Sequence, residues 1–118
     1  SGSAYVTLGT LYYKVPKWPI GFGDEATAQK MLQTALKINP NGIDSNYFYG
    51  DFLLSNNRLN EAEKYFKHAI AVPARTEQAY ADNQLKEDAK RALKNTKERK
   101  ISSSKSLFAS LFNSESVK

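Results

Sequence analysis

One residue pattern recurs in this chain after 34 residues, and this recurrence limits the fold more than any other feature. An Ala-x-x-x-Leu-x-x-Ala pattern at residues 28–35 returns as Ala-x-x-x-Phe-x-x-Ala at residues 62–69. A second pattern, a glycine flanked by large residues, occurs at residues 5–12 and again at residues 46–53. A period of this length is typical of stacked helical hairpins, because each hairpin can bury its apolar face only against its neighbours. The recurrence therefore predicts an all-α stack.

These residues resemble the tetratricopeptide repeat (TPR), a helix-turn-helix motif. In that family a large residue, Leu-Gly and Tyr mark the first helix, Ala, Phe and Ala mark the second, and a proline follows. The second copy fits from Asn46 to Pro73, although Asn46 replaces the usual tryptophan and Pro73 comes one residue early. The first copy fits from Tyr5 to Pro40 with about seven extra residues between its helices. The resemblance implies a TPR-like stack of two antiparallel helical hairpins, and we expect a long C-terminal capping helix after them.

The same reading divides the chain into segments. We expect residues 1–3 to be a vector remnant. After them we expect hairpin 1 at 4–40, with an inserted loop at 15–24, and hairpin 2 at 41–76. A capping helix at 77–100 and a Ser-rich tail at 101–118 follow. Within them we predict helices at about 4–14, 25–38, 45–55, 60–72 and 77–100. Prolines, Asn-Gly turns and an N-cap at Asp24 set these limits.

The inserted loop contains the only tryptophan, Trp18, and a nearby Phe22. Its W-P-x-G-F-G-D string resembles one found in small bacterial repeat proteins that are often exported, so the resemblance implies an exported or periplasmic protein. Two roles are open for the loop. Trp18 and Phe22 either cover the open edge of the first hairpin or contact a ligand, since tryptophan is enriched at binding hot spots.

Catalytic chemistry is not indicated. His68 is the only histidine, no cysteine is present, and no nucleophile with a base and an orienting carboxylate can be recognised. We therefore expect no enzyme activity, no cofactor and no metal site.

In the TPR family the first helix of each hairpin lines a concave groove. By resemblance the principal groove residues are Thr10, Tyr13, Lys14, Tyr47, Asp51 and Leu54. Further candidates are Val6, Asp44, Ser55, Gln78, Ala81 and Leu85. This mixed set is suited to an extended peptide or a helix of a protein partner, but it departs from the Lys, Asn and Arg set that clamps C-terminal carboxylates. Alternatively, Tyr13 and Tyr47 merely pack on adjacent helices.

Charge is uneven along the chain. The net charge of +5 arises entirely after residue 84. Contact with nucleic acid or an anionic membrane surface is one interpretation, and a solvated helix end whose cations favour its negative terminus is the other. Because aromatics are not interleaved with the basic residues, we do not expect nucleic acid. No apolar run reaches the ~20 residues that cross a bilayer. Small-molecule capture in the groove is a third alternative.

The tail ends in four large apolar residues, Leu107, Phe108, Leu111 and Phe112. Their spacing places them on one side of a helix. We predict that the tail is either disordered or docks as a short helix on a repeat surface, with the Ser-rich stretch as a flexible spacer. Docking on a neighbouring chain would form a homodimer by exchange of identical elements.

Overall fold

The computed structural model describes the backbone of residues 2–14 and 25–116 and the side chains of residues 2–10 and 25–112. These residues form five α-helices and no strand, so the prediction of an all-α fold is confirmed. The helices are α1 (Gly2–Lys14), α2 (Glu25–Ile38), α3 (Ile43–Ser55), α4 (Leu59–Ala71) and α5 (Ala79–Ser116), with a 3₁₀ turn at Thr76–Gln78 before the last. The inserted loop, with Trp18 and Phe22, lies outside the described residues.

The repeated small residues bring paired helices into close contact. A Cβ added to Gly9 would lie 2.8 Å from Leu32 Cγ, and one added to Gly50 would lie 2.7 Å from Phe66 Cε1. Leu32 and Phe66 are completely buried. The two hairpins, α1 with α2 and α3 with α4, therefore close in the same way, as the 34-residue period indicates.

The helices form an inner and an outer layer. In the inner layer α1 packs on α3, and α3 packs on α5. Between α2 and α4 of the outer layer, within the described residues, the backbones make no close approach. A shallow depression of about 790 Å³ extends over α4, from Leu36 and Pro40 on one side to Lys100 on the other. Contact in one layer and separation in the other produce a curved stack with α1, α3 and α5 on its concave side.

Buried polar side chains fix the turns between the hairpins. Asn46, which stands where the family has tryptophan, is 2% exposed and its Nδ2 donates to Pro40 O at 3.0 Å and Gly42 O at 2.8 Å. Asp82 in the first turn of α5 is also 2% exposed and accepts hydrogen bonds from the backbone N, Nε and Nη2 of Arg75. These bonds hold the backbone at the entry to α3 and to α5, where a turn would otherwise leave polar groups unsatisfied.

The last helix differs from the prediction. α5 does not end near Lys100 but continues without a break through the Ser-rich stretch to Ser116. The predictions of a disordered tail and of a flexible spacer at 102–106 are therefore wrong for the residues that α5 includes. Docking of the tail on the chain's own repeats is wrong as well, since all described side chains from 101 to 112 are exposed. Serine lowers helix propensity by only about 0.5 kcal/mol per residue, and neither glycine nor proline occurs between residues 79 and 116.

Only the first part of α5 packs on the stack. Ala89 and Thr96 are fully buried, and Leu85 and Leu93 are partly buried against the core. Lys86 Nζ donates to Val72 O at 2.6 Å, and Lys100 Nζ donates to Glu63 Oε2 at 2.9 Å. The remainder, residues 101–116, projects beyond the stack, and we call it the arm.

Candidate functional site

Most of the predicted groove residues lie on α1 and α3, two helices of the concave side. Thr10, Tyr47, Asp51 and Leu54 are all half-buried there, and so is Asp44. Val6 is only 5% exposed and belongs to the core. The side chains of Tyr13 and Lys14 lie outside the described residues, although their backbone is part of α1.

Tyr47 is the centre of this face on α3. Its ring packs edge-on against Phe48, with centroids 4.9 Å apart, and tilts against Phe66 at 5.9 Å. Burial raises the pKa of the Tyr47 hydroxyl, and the negative charges of Asp51 and Asp88 raise it further, while Arg91 acts in the opposite direction. The hydroxyl is therefore a neutral hydrogen-bond donor at physiological pH, and the packing of the Tyr47 ring against Phe48 and Phe66 fixes its position.

The acidic and basic neighbours of Tyr47 come from two helices. Asp51 lies one turn further along α3, whereas Asp88 and Arg91 lie on α5 and form an ion pair with each other. Farther along α5, Arg99 Nη1 donates to Leu54 O at 3.3 Å. We call Tyr47, Asp51, Asp88 and Arg91 the Tyr47 cluster. It combines an aromatic surface, two carboxylates and a guanidinium, and it lies where α3 packs on α5.

The predicted groove residues of α5 are joined by two more. Gln78 and Ala81 are exposed and Leu85 is half-buried on the core side, whereas Asp88 and Arg91 were missed. The 34-residue period already contained the signal for Asp88, because it is 34 residues after Leu54 and so occupies the equivalent position on the next helix. No sequence signal distinguishes Arg91 from the other basic residues of α5.

Thr10 contributes an unsatisfied polar atom on α1. Its Oγ1 is buried and has no hydrogen-bond partner in the described part of the chain. A buried hydroxyl without a partner costs free energy, so a donor or acceptor brought to this point would be favoured.

A second polar group lies on α4, away from the concave face. Glu63 is hydrogen-bonded by Lys100 and by Lys67, each at 2.9 Å, and these bonds lower the pKa of its carboxyl to about 2. His68, one turn further along, is exposed, and its Nε2 lies 3.0 Å from Asn41 Oδ1. This is an ion-pair network that ties α5 to α4, and no nucleophile is among these contacts.

Residues 2–14 and 25–116 contain neither a metal-binding cluster nor a helix that could cross a membrane. No group of three or more histidine, aspartate or glutamate side chains is placed there to hold a metal ion. None of the described helices combines the length and the apolar character that a bilayer crossing requires.

Comparison with known proteins supports the repeat. The family model described as Tetratricopeptide repeat matches residues 20–82, which includes α2, α3, α4 and the start of α5. No curated protein and no solved structure matches the chain.

Proposed function

Because the chain belongs to the tetratricopeptide repeat family, we propose that it is a non-enzymatic protein-interaction module that binds a peptide or a helix of a partner protein. The binding surface in this proposal is the concave face of α1, α3 and α5, with the Tyr47 cluster at its centre. The observation that supports it best is the layering of the stack. The inner helices touch one another in sequence, so their exposed side chains form one continuous surface.

The chemistry of the Tyr47 cluster defines the partner segment. The Tyr47 ring and Leu54 offer half-buried apolar area to a side chain of the partner. Asp51 and Asp88 offer acceptors, and the Tyr47 hydroxyl offers a donor, since its pKa is raised. A segment that presents an apolar residue next to an amide, lysine or arginine donor satisfies this arrangement. A terminal carboxylate fits this cluster less well, because its two carboxylates outnumber its one guanidinium, that of Arg91, which is already paired with Asp88.

We test this proposal with two conservative substitutions, Tyr47→Phe and Asp51→Asn, which retain shape and remove one polar function each. A matched control is Lys37→Ala, an exposed residue in the last turn of α2 on the outer layer. The immobilised wild-type chain is used to capture partners from an extract of the source cells, and the captured protein is identified and then titrated in purified form.

The proposal expects both groove substitutions to weaken binding of that purified protein by about tenfold, the effect of one polar contact of about 1.4 kcal/mol. Lys37→Ala should bind as the wild type does. Equal binding by all four chains, or loss in the control alone, would exclude the concave face as the binding surface. Unfolding curves of the variants must match that of the wild type, so that a loss of binding is not a loss of fold.

A further inference from the structure

The arm carries a stripe of large apolar side chains that no described residue covers. Ile101, Leu107, Phe108, Leu111 and Phe112 are 56–65% exposed. At 3.6 residues per turn they occupy about 140° of the helix circumference. Phe108 and Phe112 lie one above the other, with ring centroids 4.9 Å apart. Ser102, Ser106 and Ser110 lie on the opposite side, so the arm is amphipathic although Ser104 interrupts the stripe.

The side of α5 that carries Ile101, Phe108 and Phe112 is basic further back along the helix, whereas Leu107 and Leu111 continue the side that packs on the stack through Ala89 and Leu93. Exposed residues follow one another along this side at intervals of three or four positions, namely Lys94, Lys97, Ile101, Lys105, Phe108 and Phe112. Lys94, Lys97 and Ile101 line one shallow surface depression together with Lys90, Leu93 and Glu98. The acidic residues on or near this side are Glu87, which is paired with Lys90, Glu98 and Glu115. Lysines therefore remain in excess on this side.

We propose that this side of α5 is a membrane-surface site, which lies on an anionic bilayer with the apolar stripe inserted among the acyl chains and the lysines against lipid phosphates. A helix with bulky apolar residues on one side, small polar residues on the other and lysines near the headgroups is suited to the plane of the interface. The charge is complementary, because the excess of basic residues in the chain lies in its C-terminal third. The helix binds on the surface and does not cross the membrane.

A second copy of the chain is a poorer occupant of this stripe. The five side chains expose on the order of 500 Å² of apolar surface. Two arms that pack together would bury about 1,000 Å² in total, which is below the range of stable, specific interfaces. A stripe of about 140° is also wider than the narrow seam of a two-stranded coiled coil. Pairing would bring two basic helices together, whereas an anionic surface neutralises them.

The proposal is tested by co-sedimentation of the full chain with vesicles. One set of vesicles contains phosphatidylcholine and phosphatidylglycerol, and the other contains phosphatidylcholine alone. We expect binding to the anionic vesicles that is at least about tenfold tighter than to the neutral ones and that weakens with salt. Lys94→Gln and Lys97→Gln should each weaken it roughly fivefold. The double variant F108S/F112S should weaken it by about tenfold or more.

A composition-matched control separates the stripe from mere hydrophobicity. The variant S102F/S106F/F108S/F112S moves both phenylalanines to the side of the helix away from Leu107 and Leu111, so that the continuous stripe is lost, and all four positions are exposed. We expect it to lose binding as F108S/F112S does. Equal binding by this variant, equal binding to neutral vesicles, or no binding by the wild type would overturn the proposal. Sedimentation velocity of the chain without vesicles completes the experiment. A dimer that F108S/F112S abolishes would assign the stripe to a second copy of the chain instead.

Discussion

At the scale of single residues, the stack depends on positions where two helices approach each other without a side chain between them. Gly50 is the clearest case, because its neighbour is the ring of Phe66, which is fully buried and cannot move aside. Gly9 has the same relation to Leu32. The charged residues act differently, since Glu63 and Asp82 stabilise the junction with α5 only while they are ionised.

We predict that Gly50→Ala destabilises the chain by about 1 kcal/mol. Alanine favours a helix over glycine by about 1 kcal/mol, but its Cβ would lie 2.7 Å from Phe66 Cε1, and overpacking of this kind costs about 1–3 kcal/mol. Urea unfolding measures the difference. Gly2→Ala is the control, because its Cβ meets no atom closer than 3.3 Å. A neutral or stabilising Gly50→Ala would mean that the hairpin is less tightly packed than described.

A second prediction concerns acid. The pKa of Glu63 is about 2 in the folded chain, whereas a glutamate outside a folded structure has a pKa of 4.5. Its depressed pKa means that folding favours the ionised form, so the contribution to stability is complete above about pH 4.5 and is lost as the pH falls towards 2. The pKa of Asp82 is lowered as well, chiefly by the hydrogen bond from Arg75. The free energy of unfolding should therefore fall as the medium is acidified through this range.

Glu63→Gln tests the assignment. The Lys67 and Lys100 side chains are 57% and 39% exposed, so the substitution should cost no more than about 1 kcal/mol at neutral pH. It should also make the loss of stability in acid smaller, because Asp82 alone remains. A double-mutant cycle with Lys100→Met isolates the pair. An acid profile identical to that of the wild type would remove Glu63 from this role.

At the scale of elements, α5 is one helix with two different environments. Its first part packs on α3 and α4 through Leu85, Ala89 and Leu93, whereas the side chains of residues 101–112 are exposed. Most helices owe their stability to the packing of an apolar face, and isolated helices shorter than about 12–15 residues are marginal in water. The two parts should therefore differ in local stability although the backbone is continuous.

We predict a gradient of amide hydrogen exchange along α5. Amides near Ala89 and Thr96, which are fully buried, should exchange only on global unfolding, and amides of the arm should exchange through fraying, at least about a hundredfold faster. Deleting residues 102–118 should leave the free energy of unfolding of the stack within about 0.5 kcal/mol. Uniform protection along α5, or a large loss of stability after this deletion, would show that the arm is packed in solution.

At the scale of the whole molecule, the projecting arm determines the shape. The radius of gyration is 17.0 Å and the extents are 63 × 38 × 20 Å, whereas a compact domain of this length has a radius of gyration of about 13.5 Å. The stack itself is small, with two hairpins and one further helix, and it curves because its inner helices touch and α2 and α4 do not.

Small-angle scattering provides the fourth prediction. The full chain should give a radius of gyration near 17.0 Å, and the chain without residues 102–118 should give about 13 Å. If the arm folds back on the stack, the radius of gyration of the full chain should instead be close to the value of about 13.5 Å for a compact domain. Measurements over a range of concentrations control for self-association, which would raise the value.

The sequence predicted the parts of the fold that local spacing determines. The residues of the 34-residue period identified both hairpins and the closely packed pairs around Gly50 and Phe66. Asp88 in the groove was within reach of the same period. The conformation of the tail could not be predicted from this period, because serine has no strong preference for helix or coil. Whether an apolar stripe such as Phe108–Phe112 is buried depends on what lies around the helix, which the local sequence does not determine.

The continuity of α5 has a geometric consequence. Asp88 and Phe112 are on the same helix, 24 residues apart, so a rise of 1.5 Å per residue separates them by about 36 Å. A continuous helix of this kind sets the rotation of its end about the helix axis as well as its distance. Inserting four residues in the arm would lengthen it by about 6 Å and rotate its end by only about 40°, whereas inserting two would turn the end by about 200°. A partner bound at Phe112 is thus held at a defined distance, and at a defined angle about the helix axis, from a partner bound at Tyr47.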